Sequence, residues 1–176
     1  MKLDKVHVTN YRSVDDSGVF GVEQVTCLVG KNEAGKSALL LALAALNPHE
    51  ATPVILDKER DYPRRYLTMY SDRHTDKDAV AVTTHWNLEE AEKKSIEALL
   101  GTGVLKSTEV KVLRRYGTKD VEYEVPAIDY TVAISHLFQM FSLDENEKEQ
   151  LTAATTTSVL IELLGKIATP TANQTV

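Results

Sequence analysis

The sequence predicts an α/β fold in which a strand, a glycine-bearing loop and a helix follow one another near the N-terminus. Residues 25–41 show this order directly, because an apolar run, a polar loop and a second apolar run succeed one another. Residues 2–9 and 79–86 alternate between apolar and polar side chains, which is the period of a strand. Pairs of residues that cap helices occur further along the chain. Strands and helices are therefore both expected.

The composition is that of a globular protein. The chain has 176 residues, 43% hydrophobic and 26% charged, which is enough for one domain with a core. Its formal net charge of −6 argues against a nucleic-acid clamp formed by this chain alone, and it leaves DNA binding by a larger assembly open. The sequence contains no run of membrane-spanning length, no signal-peptide core and one cysteine. We expect a cytoplasmic protein without a membrane contact.

The first three strands are expected before residue 30. Residues 2–9 predict a strand closed at 10–13, and residues 15–18 predict a turn before a short second strand. Residues 25–29 are nearly continuously apolar, which is typical of a strand buried on both faces of a sheet. Cys27 is then expected to be a small buried core residue.

The loop that follows carries a recognisable pattern. Its sequence, GKNEAGKS, fits G-x-x-x-x-G-K-[ST] between a strand and a helix, the context of a phosphate-binding P-loop. Gly30 and Gly35 let the backbone turn so that N–H groups and the positive helix end face phosphate oxygens. Lys36 would reach the β- and γ-phosphates, and the Ser37 hydroxyl would ligate Mg²⁺. The sequence therefore predicts binding of a nucleoside triphosphate.

The segments on either side of residue 57 are expected to differ in exposure. Residues 37–46 are apolar all round, which predicts an enclosed helix. Residues 57–78 mix both charge signs, and their arginines suggest a phosphate or DNA contact. Because acids are interleaved with these arginines in nearly equal number, a solvated face is the better interpretation.

The rest of the chain predicts further regular structure. Asn87 with Glu90 predicts a capped helix start, and residues 109–125 predict a hairpin. Residues 130–143 predict a helix, although their first half also suits a strand. Asp144 with Glu147 predicts a further helix that runs towards Gly165. We divide the chain into a P-loop core at 1–50, a surface excursion at 51–78, an inserted strand–helix–hairpin layer at 79–126 and a helical segment at 127–176.

A P-loop enzyme also needs an acid at the end of a second strand, to hold Mg²⁺ and polarise water. Residues 54–57 imitate such a strand and end at Asp57. They follow the P-loop helix very closely, however, and Lys58 stands where a catalytic acid often follows. Residues 159–162 are better explained as one face of a helix. The sequence motifs therefore include no convincing candidate for the acidic residue that hydrolysis needs.

The N-terminal residues resemble a known group. NYRS at 10–13, followed by VTCLVGKNEAGKSALLLAL, resembles the start of ABC-type ATPases of the SMC/RecF/OLD group. Those proteins carry N-[FY]-[RK]-S before a G-x-N-x-x-G-K-S loop. Glu33 stands where SMC and RecF proteins usually have glycine, so the loop looks closest to that of OLD-like ATPases (overcoming lysogenization defect). The resemblance is strong over residues 2–46.

This resemblance implies the N-terminal lobe of an ABC-type ATPase head. In the family, a second half beyond a long helical arm supplies the ABC signature, the second acidic motif and a switch histidine, and no LSGGQ-like run occurs here. It implies ATP and Mg²⁺ as cofactors, with ATP sandwiched between the heads of a homodimer. Such heads are often joined to a C-terminal Toprim nuclease, and several act in anti-phage defence. The partner would be the missing C-terminal half or a separate effector.

The family's site residues transfer by position. By this resemblance Lys36 would be the catalytic residue and Ser37 the Mg²⁺ ligand. Arg12 would approach the phosphates, although support of the hairpin is an equally good explanation for this arginine. Gln139 is the candidate for the family's Q-loop glutamine, and a helix-surface glutamine is equally compatible. The nucleotide-binding set is Arg12, Gly30, Lys31, Asn32, Glu33, Ala34, Gly35, Lys36, Ser37 and Ala38.

Two other functions stay open at this point. The chain could be a self-contained small P-loop kinase or NTPase with Asp57 as the Mg²⁺ partner, and turnover abolished by Asp57→Asn would indicate it. It could instead be a non-catalytic assembly protein that retains the fold. Equal pairing of the wild type and Lys36→Ala with a partner would favour that second alternative.

Overall fold

The computed structural model describes residues 1–32, 34–46, 56–140, 144–153 and 156–168. The chain forms two compact units, the first made of Met1–Leu88 and Glu109–Val125, and the second of Glu89–Thr108 and Pro126–Val176. The P-loop lies in the first unit. None of the helices within these described ranges combines the length and the apolar character that a membrane crossing needs.

An antiparallel sheet is the centre of the first unit. Its strands are β1 (Lys2–Tyr11), β2 (Val14–Gly21), β3 (Val80–Asn87), β4 (Glu109–Arg115) and β5 (Val121–Glu124). They lie in the order β2-β1-β3-β4-β5, and every neighbouring pair is antiparallel. The strand predicted at 79–86 and the hairpin predicted at 109–125 are confirmed. These strands continue the sheet that β1 and β2 begin.

The first hairpin turns earlier than its sequence predicts. β1 and β2 are joined at Arg12 and Ser13, where Tyr11 pairs with Val14. Residues 15–18, predicted to be the turn, lie within β2, and the pairing register shifts there. Gly18 has φ +64, as a glycine in a β-bulge often does, and the Ser17 hydroxyl accepts a hydrogen bond of 2.9 Å from the Val8 amide. The polar run therefore forms a bulge instead of a turn.

Four short helical segments accompany the sheet in the described part of this unit. They are α1 (Lys36–Ala44), α2 (Lys58–Asp61), a 3₁₀ helix (Arg64–Met69) and α3 (Tyr70–Arg73). Helix α1 packs on β1 and β3 through its alanine face, so that Ala38 and Ala42 are buried with Val6. Leu40 and Leu41 are 60% and 42% exposed. The prediction of an enclosed helix is wrong, because α1 buries its alanine face, with Leu39 and Leu43 packed partly against the core, and leaves Leu40 and Leu41 exposed.

The strand predicted at 25–29 does not form. These residues have no ladder partner among the described residues, and Val25 and Val29 are 81% and 89% exposed. Cys27, predicted to be buried, is exposed as well. The apolar side chains of residues 25–29 would be more stable if buried, but a buried strand also needs a neighbouring strand on each side. The sheet of the first unit does not supply these strands.

Residues 56–78 carry part of the core. Tyr62, Tyr70 and Tyr116 are buried, with the ring centres of Tyr62 and Tyr70 4.8 Å apart in an edge-to-face contact. Burial raises the pKa of Tyr70 to about 12, and its hydroxyl donates to Asp78 at 2.8 Å. The Tyr116 hydroxyl donates to the carbonyl of Asn10 at 2.8 Å. This segment, predicted to be a surface excursion, is therefore partly internal, and residues 51–55 lie outside the described ranges.

Helices make up the second unit. They are α4 (Glu90–Leu100), α5 (Tyr130–Met140), α6 (Glu145–Thr152) and α7 (Thr157–Ala168). The capping box predicted for Asp144 and Glu147 is confirmed, whereas α4 is capped by Glu89 with Glu92 instead of Asn87 with Glu90. Two helices, α6 and α7, occupy the range predicted as one helix. The predicted end of α5 at 141–143 falls outside the described residues.

His74 makes the stability of the first unit depend on pH. The Tyr62 hydroxyl accepts a hydrogen bond from Arg73 at 3.1 Å, and it shares a hydrogen bond of 3.0 Å with Nε2 of His74. Burial first, and then the charge of Arg73, lower the pKa of His74. Because the folded pKa lies below the unfolded one, this stabilisation is present above about pH 6.5 and is lost as pH falls.

We predict that the free energy of unfolding falls between pH 7 and pH 5, and that His74→Gln flattens this slope. Urea unfolding followed by circular dichroism at several pH values measures it. The variant itself serves as the control for all other titrating groups, because only one imidazole is changed. Equal slopes for the two proteins would contradict the proposed role of His74.

Cys27 offers a direct test of the exposed segment. The thiol is exposed, so it should react with a disulfide reagent such as Ellman's reagent in the native protein at nearly the rate found after denaturation. The absorbance of the released thiolate measures this rate, and the denatured chain is the matched reference. A thiol protected in the native state would show that residues 25–29 are buried after all.

Candidate nucleotide-binding site

The side chain of Lys36, at the end of the P-loop, is hydrogen-bonded to the backbone at the start of the loop. The Nζ atom of Lys36 donates hydrogen bonds to the carbonyls of Gly30 and Lys31, both at 2.7 Å. These contacts hold the ammonium group between the start of the loop and the start of α1. An ammonium group has three donors, so one donor remains for an anion that enters the loop.

Helix α1 begins directly after the loop without a side-chain cap. Its N-cap residue is Gly35, which offers no side-chain hydrogen bond, and the first helical turn contains no acidic residue. The free N–H groups at this end and the helix dipole both favour a negative charge. The exposed Ser37 stands in this same turn. The local arrangement therefore suits a phosphate group at the amides and Lys36, with a divalent cation at the Ser37 hydroxyl.

Gly35 also brings the loop against the β1–β2 turn. Its φ is +82°, and a Cβ atom built on it would lie 2.9 Å from Cγ2 of Val14 and 3.4 Å from Oγ of Ser13. The first distance is shorter than a normal carbon–carbon contact. Glycine is thus needed here for its backbone angle and for the space, and the NYRS turn touches the P-loop at this point.

Arg12 is held in a strained position beside this contact. Its φ is +52° and that of Asn10 is +51°, a region that costs a residue with a side chain about 1 kcal/mol. The Arg12 amide donates to the carbonyl of Asp61 at 2.6 Å. Its Nε and Nη2 atoms donate to Oδ1 of Asp61 at 3.1 and 3.0 Å. The backbone and the side chain of Arg12 are therefore both fixed by one residue.

Asp61 is buried and remains charged. Its burial alone would raise the pKa of the carboxyl, but hydrogen bonds from Arg60, from the Asp57 amide and from Arg12 outweigh it and hold the pKa below its usual value. The Oδ2 atom accepts from Arg60 Nη2 at 2.7 Å and from the Asp57 amide at 3.2 Å. Both carboxylate oxygens are thus occupied, as a buried charge requires.

The predicted site residues fall into several groups. Gly30, Gly35, Lys36 and Ser37 lie together in the loop and the start of α1, and Glu33 lies outside the described residues. Ala38 points its side chain into the core, so only its backbone is offered to a ligand. Lys31, Asn32 and Ala34 are exposed residues of the same loop.

Two further candidates have other surroundings. Asp57 caps α2 by accepting a hydrogen bond of 2.8 Å from the Arg60 amide, and no described strand ends at this residue. Gln139 is an exposed residue of α5 in the second unit. Among the described residues, no hydrogen bond or ion pair joins Asp57 to the P-loop.

The contact between Asp61 and Arg12 was not predicted from the sequence motifs. Asp61 lies 49 residues after Arg12, and its neighbours in sequence suggest only a mixed-charge surface. Asp61 directly follows Arg60 and pairs with it. This local ion pair already explains the charge of Asp61, so the sequence gives no reason to expect a second partner further away. No local pattern could have revealed the contact.

The comparison with known families agrees with this geometry. The sequence profile of the AAA ATPase domain matches residues 1–100, which is more than half of the 176 residues and includes the P-loop, Arg12 and Asp61. The chain belongs to this AAA ATPase domain family. No curated protein matches the chain. Membership in the family implies a nucleotide-binding function of the ATP type, and such domains typically use Mg²⁺.

Gly35→Ala tests the contact between the loop and the turn. We predict a loss of about 1 kcal/mol from the left-handed φ, a further loss from the clash with Val14, and loss of nucleotide binding. Gly103→Ala is the matched control, because Gly103 has φ +77° and nothing within 4 Å of an added Cβ. Thermal unfolding and ATP titration measure both effects. Equal destabilisation in the two variants, or unchanged ATP binding in Gly35→Ala, would contradict the argument.

Proposed function

We propose that this chain is the Mg·ATP-binding lobe of an OLD/SMC-like ATPase. The observation that carries the proposal is the arrangement of Lys36. Its ammonium group bridges the two ends of the loop at 2.7 Å while the uncapped start of α1 faces the same space. Membership in the AAA ATPase domain family supports a nucleotide as the anion.

Three groups of residues would bind the nucleotide, hold the metal ion and support the loop. The amides at the start of α1 would bind phosphate oxygens, and Lys36 would exchange one loop carbonyl for the γ-phosphate as the nucleotide enters. The Ser37 hydroxyl would hold Mg²⁺, which supplies charge neutralisation between the β- and γ-phosphates. Val14 and Ser13 would keep the loop from opening, because they touch Gly35.

The exposed apolar surface beside the loop supports a requirement for a second component. Val25 and Val29 lead into Gly30, and Leu40 and Leu41 lie on the outer side of α1. Burying one such side chain contributes about 1.5–3 kcal/mol, so a complementary strand-bearing segment would bind here favourably. The proposed occupant is the second half of an ABC-type head, which would also supply the acidic motif and the ABC signature.

The finer assignment rests on the resemblance of NYRS and GKNEAGKS to OLD-like ATPases. In that assignment two heads form a homodimer with ATP between them, and ATP binding drives the heads together. The effector would be a Toprim nuclease or another DNA-processing part, and the context would be anti-phage defence. DNA would be contacted by the assembly.

The first experiment measures Mg·ATP binding and hydrolysis by the purified chain. We predict that Lys36→Ala weakens binding at least about tenfold, because a charged phosphate partner is lost. Ser37→Ala should bind ATP equally with magnesium and with EDTA, because its contribution acts through the metal. The chain alone should show no turnover above that of Lys36→Ala.

Lys148→Ala is the control for the lysine substitution, since Lys148 is a surface residue of α6 paired with Glu145. It should bind ATP like the wild type. A wild type that binds no ATP would contradict the proposal. Turnover by the wild type that Lys36→Ala abolishes would instead favour a self-contained NTPase, and Asp57→Asn would then be the next variant.

A further inference from the structure

The buried carboxylate of Asp61 is the group in the first unit that the proposed phosphate site does not yet use. Asp61 is 1% exposed, and its Oδ1 atom is occupied by two donors of Arg12. A carboxylate in such a place is stable only with its partners in position. The fold thus keeps a charged group in its interior, and one of its two oxygen atoms is bonded by Arg12.

Only some of the hydrogen-bond donors of Arg12 are bonded to Asp61. Nε and Nη2 of Arg12 bond Asp61, whereas Nη1 has no hydrogen-bond partner among the residues that the structure describes. The side chain of Arg12 is 40% exposed. One edge of the guanidinium group is therefore anchored, and its other donors are available to a ligand.

The anchored arginine stands at the edge of the P-loop. Ser13 and Val14, the next two residues, are the ones that approach Gly35. The Arg12 amide is tied to the carbonyl of Asp61 at 2.6 Å, so the turn cannot shift away from the loop without breaking that bond. The turn that carries the anchored group is therefore held on one side by Asp61 and lies against Gly35 on the other.

The charge of the cluster also suits an anion. The Asp61 carboxylate is shared by two guanidinium groups, those of Arg12 and Arg60. Within this group of three side chains there are one negative and two positive charges, and both guanidinium groups are partly exposed. A planar guanidinium group matches phosphate oxygens well.

We propose that Asp61 is a positioning residue that holds the Arg12 guanidinium group ready to bind a phosphate oxygen of the nucleotide on the P-loop. This inference rests on the proposed function and adds a residue to it. Asp61 acts through Arg12 and does not touch the nucleotide. Without the carboxylate, Arg12 would sample several rotamers, and the nucleotide would have to order it on binding.

A double-mutant cycle tests the inference. Isothermal titration with Mg·ATP on the full chain compares the wild type, Arg12→Gln, Asp61→Asn and the double variant. We predict binding about tenfold weaker for Arg12→Gln and about threefold weaker for Asp61→Asn. The double variant should bind no more weakly than Arg12→Gln, because Asp61 acts only through Arg12. A weakening by Asp61→Asn that persists in full without Arg12 would overturn the proposal.

Asp15→Asn is the matched control. Asp15 forms an ion pair with Arg65, which joins the same two segments of chain near the surface. The same chemical change should leave ATP affinity unaltered there, since the pair does not hold Arg12. If Asp15→Asn weakened binding as much as Asp61→Asn, a general loss of packing would explain both results and the proposal would fail.

A conservative variant covers the case in which Asp61→Asn does not fold. Asp61→Glu keeps the charge and moves the carboxylate by one methylene group. It should weaken ATP binding in the wild-type background and have no effect beside Arg12→Gln. Wild-type affinity in Asp61→Glu would overturn the inference.

The Lys36→Ala variant separates this inference from the proposed function. If Lys36→Ala loses ATP binding and Asp61→Asn binds like the wild type, only the role of Asp61 is wrong. If the wild type and Lys36→Ala bind ATP equally, the proposed function fails and the inference fails with it.

Discussion

The carboxylate of Asp61 can keep its charge inside the first unit only while guanidinium groups stay hydrogen-bonded to it, and several features follow from that requirement. Arg12 has to reach Asp61 from the far end of β1, so its backbone adopts φ +52°. The same requirement holds α2 against the turn, because the carbonyl of Asp61 also accepts the Arg12 amide. Tyr11 lies between two strained residues and is buried at the centre of the unit. The strained backbone at Arg12 is accompanied by three hydrogen bonds from this residue to Asp61.

The P-loop depends on this turn at one point. Gly35 approaches Val14 so closely that no side chain fits between them. The loop therefore packs against the β1–β2 hairpin at Gly35, and the turn of this hairpin is hydrogen-bonded to Asp61. This chain of contacts runs through residues that are far apart in sequence and joins the 56–78 segment to the start of α1, where we propose that phosphate binds. A change at Asp61 can thus reach the site without touching a ligand.

The parts of the fold that the sequence predicted are those specified locally. The P-loop is recognisable because its glycines, lysine and serine have fixed spacing. The Asp144 capping box and the 109–125 hairpin are also decided by near neighbours. The prediction failed at 25–29 because an apolar run indicates a need for burial and cannot show whether neighbouring strands exist. Asp61 was missed because its partner Arg12 is 49 residues away.

The exposed segment at 25–29 and the P-loop are adjacent in the chain, and this adjacency has a thermodynamic consequence for the proposed assembly. Val29 directly precedes Gly30, whose carbonyl accepts a bond from Lys36. A partner that pairs with 25–29 would therefore order the residue at which the loop begins. If pairing favours the loop geometry that binds a nucleotide, the nucleotide must favour pairing by the same free energy, because the two equilibria are linked. An exposed apolar segment next to the proposed phosphate site would thus link nucleotide binding to the binding of a partner.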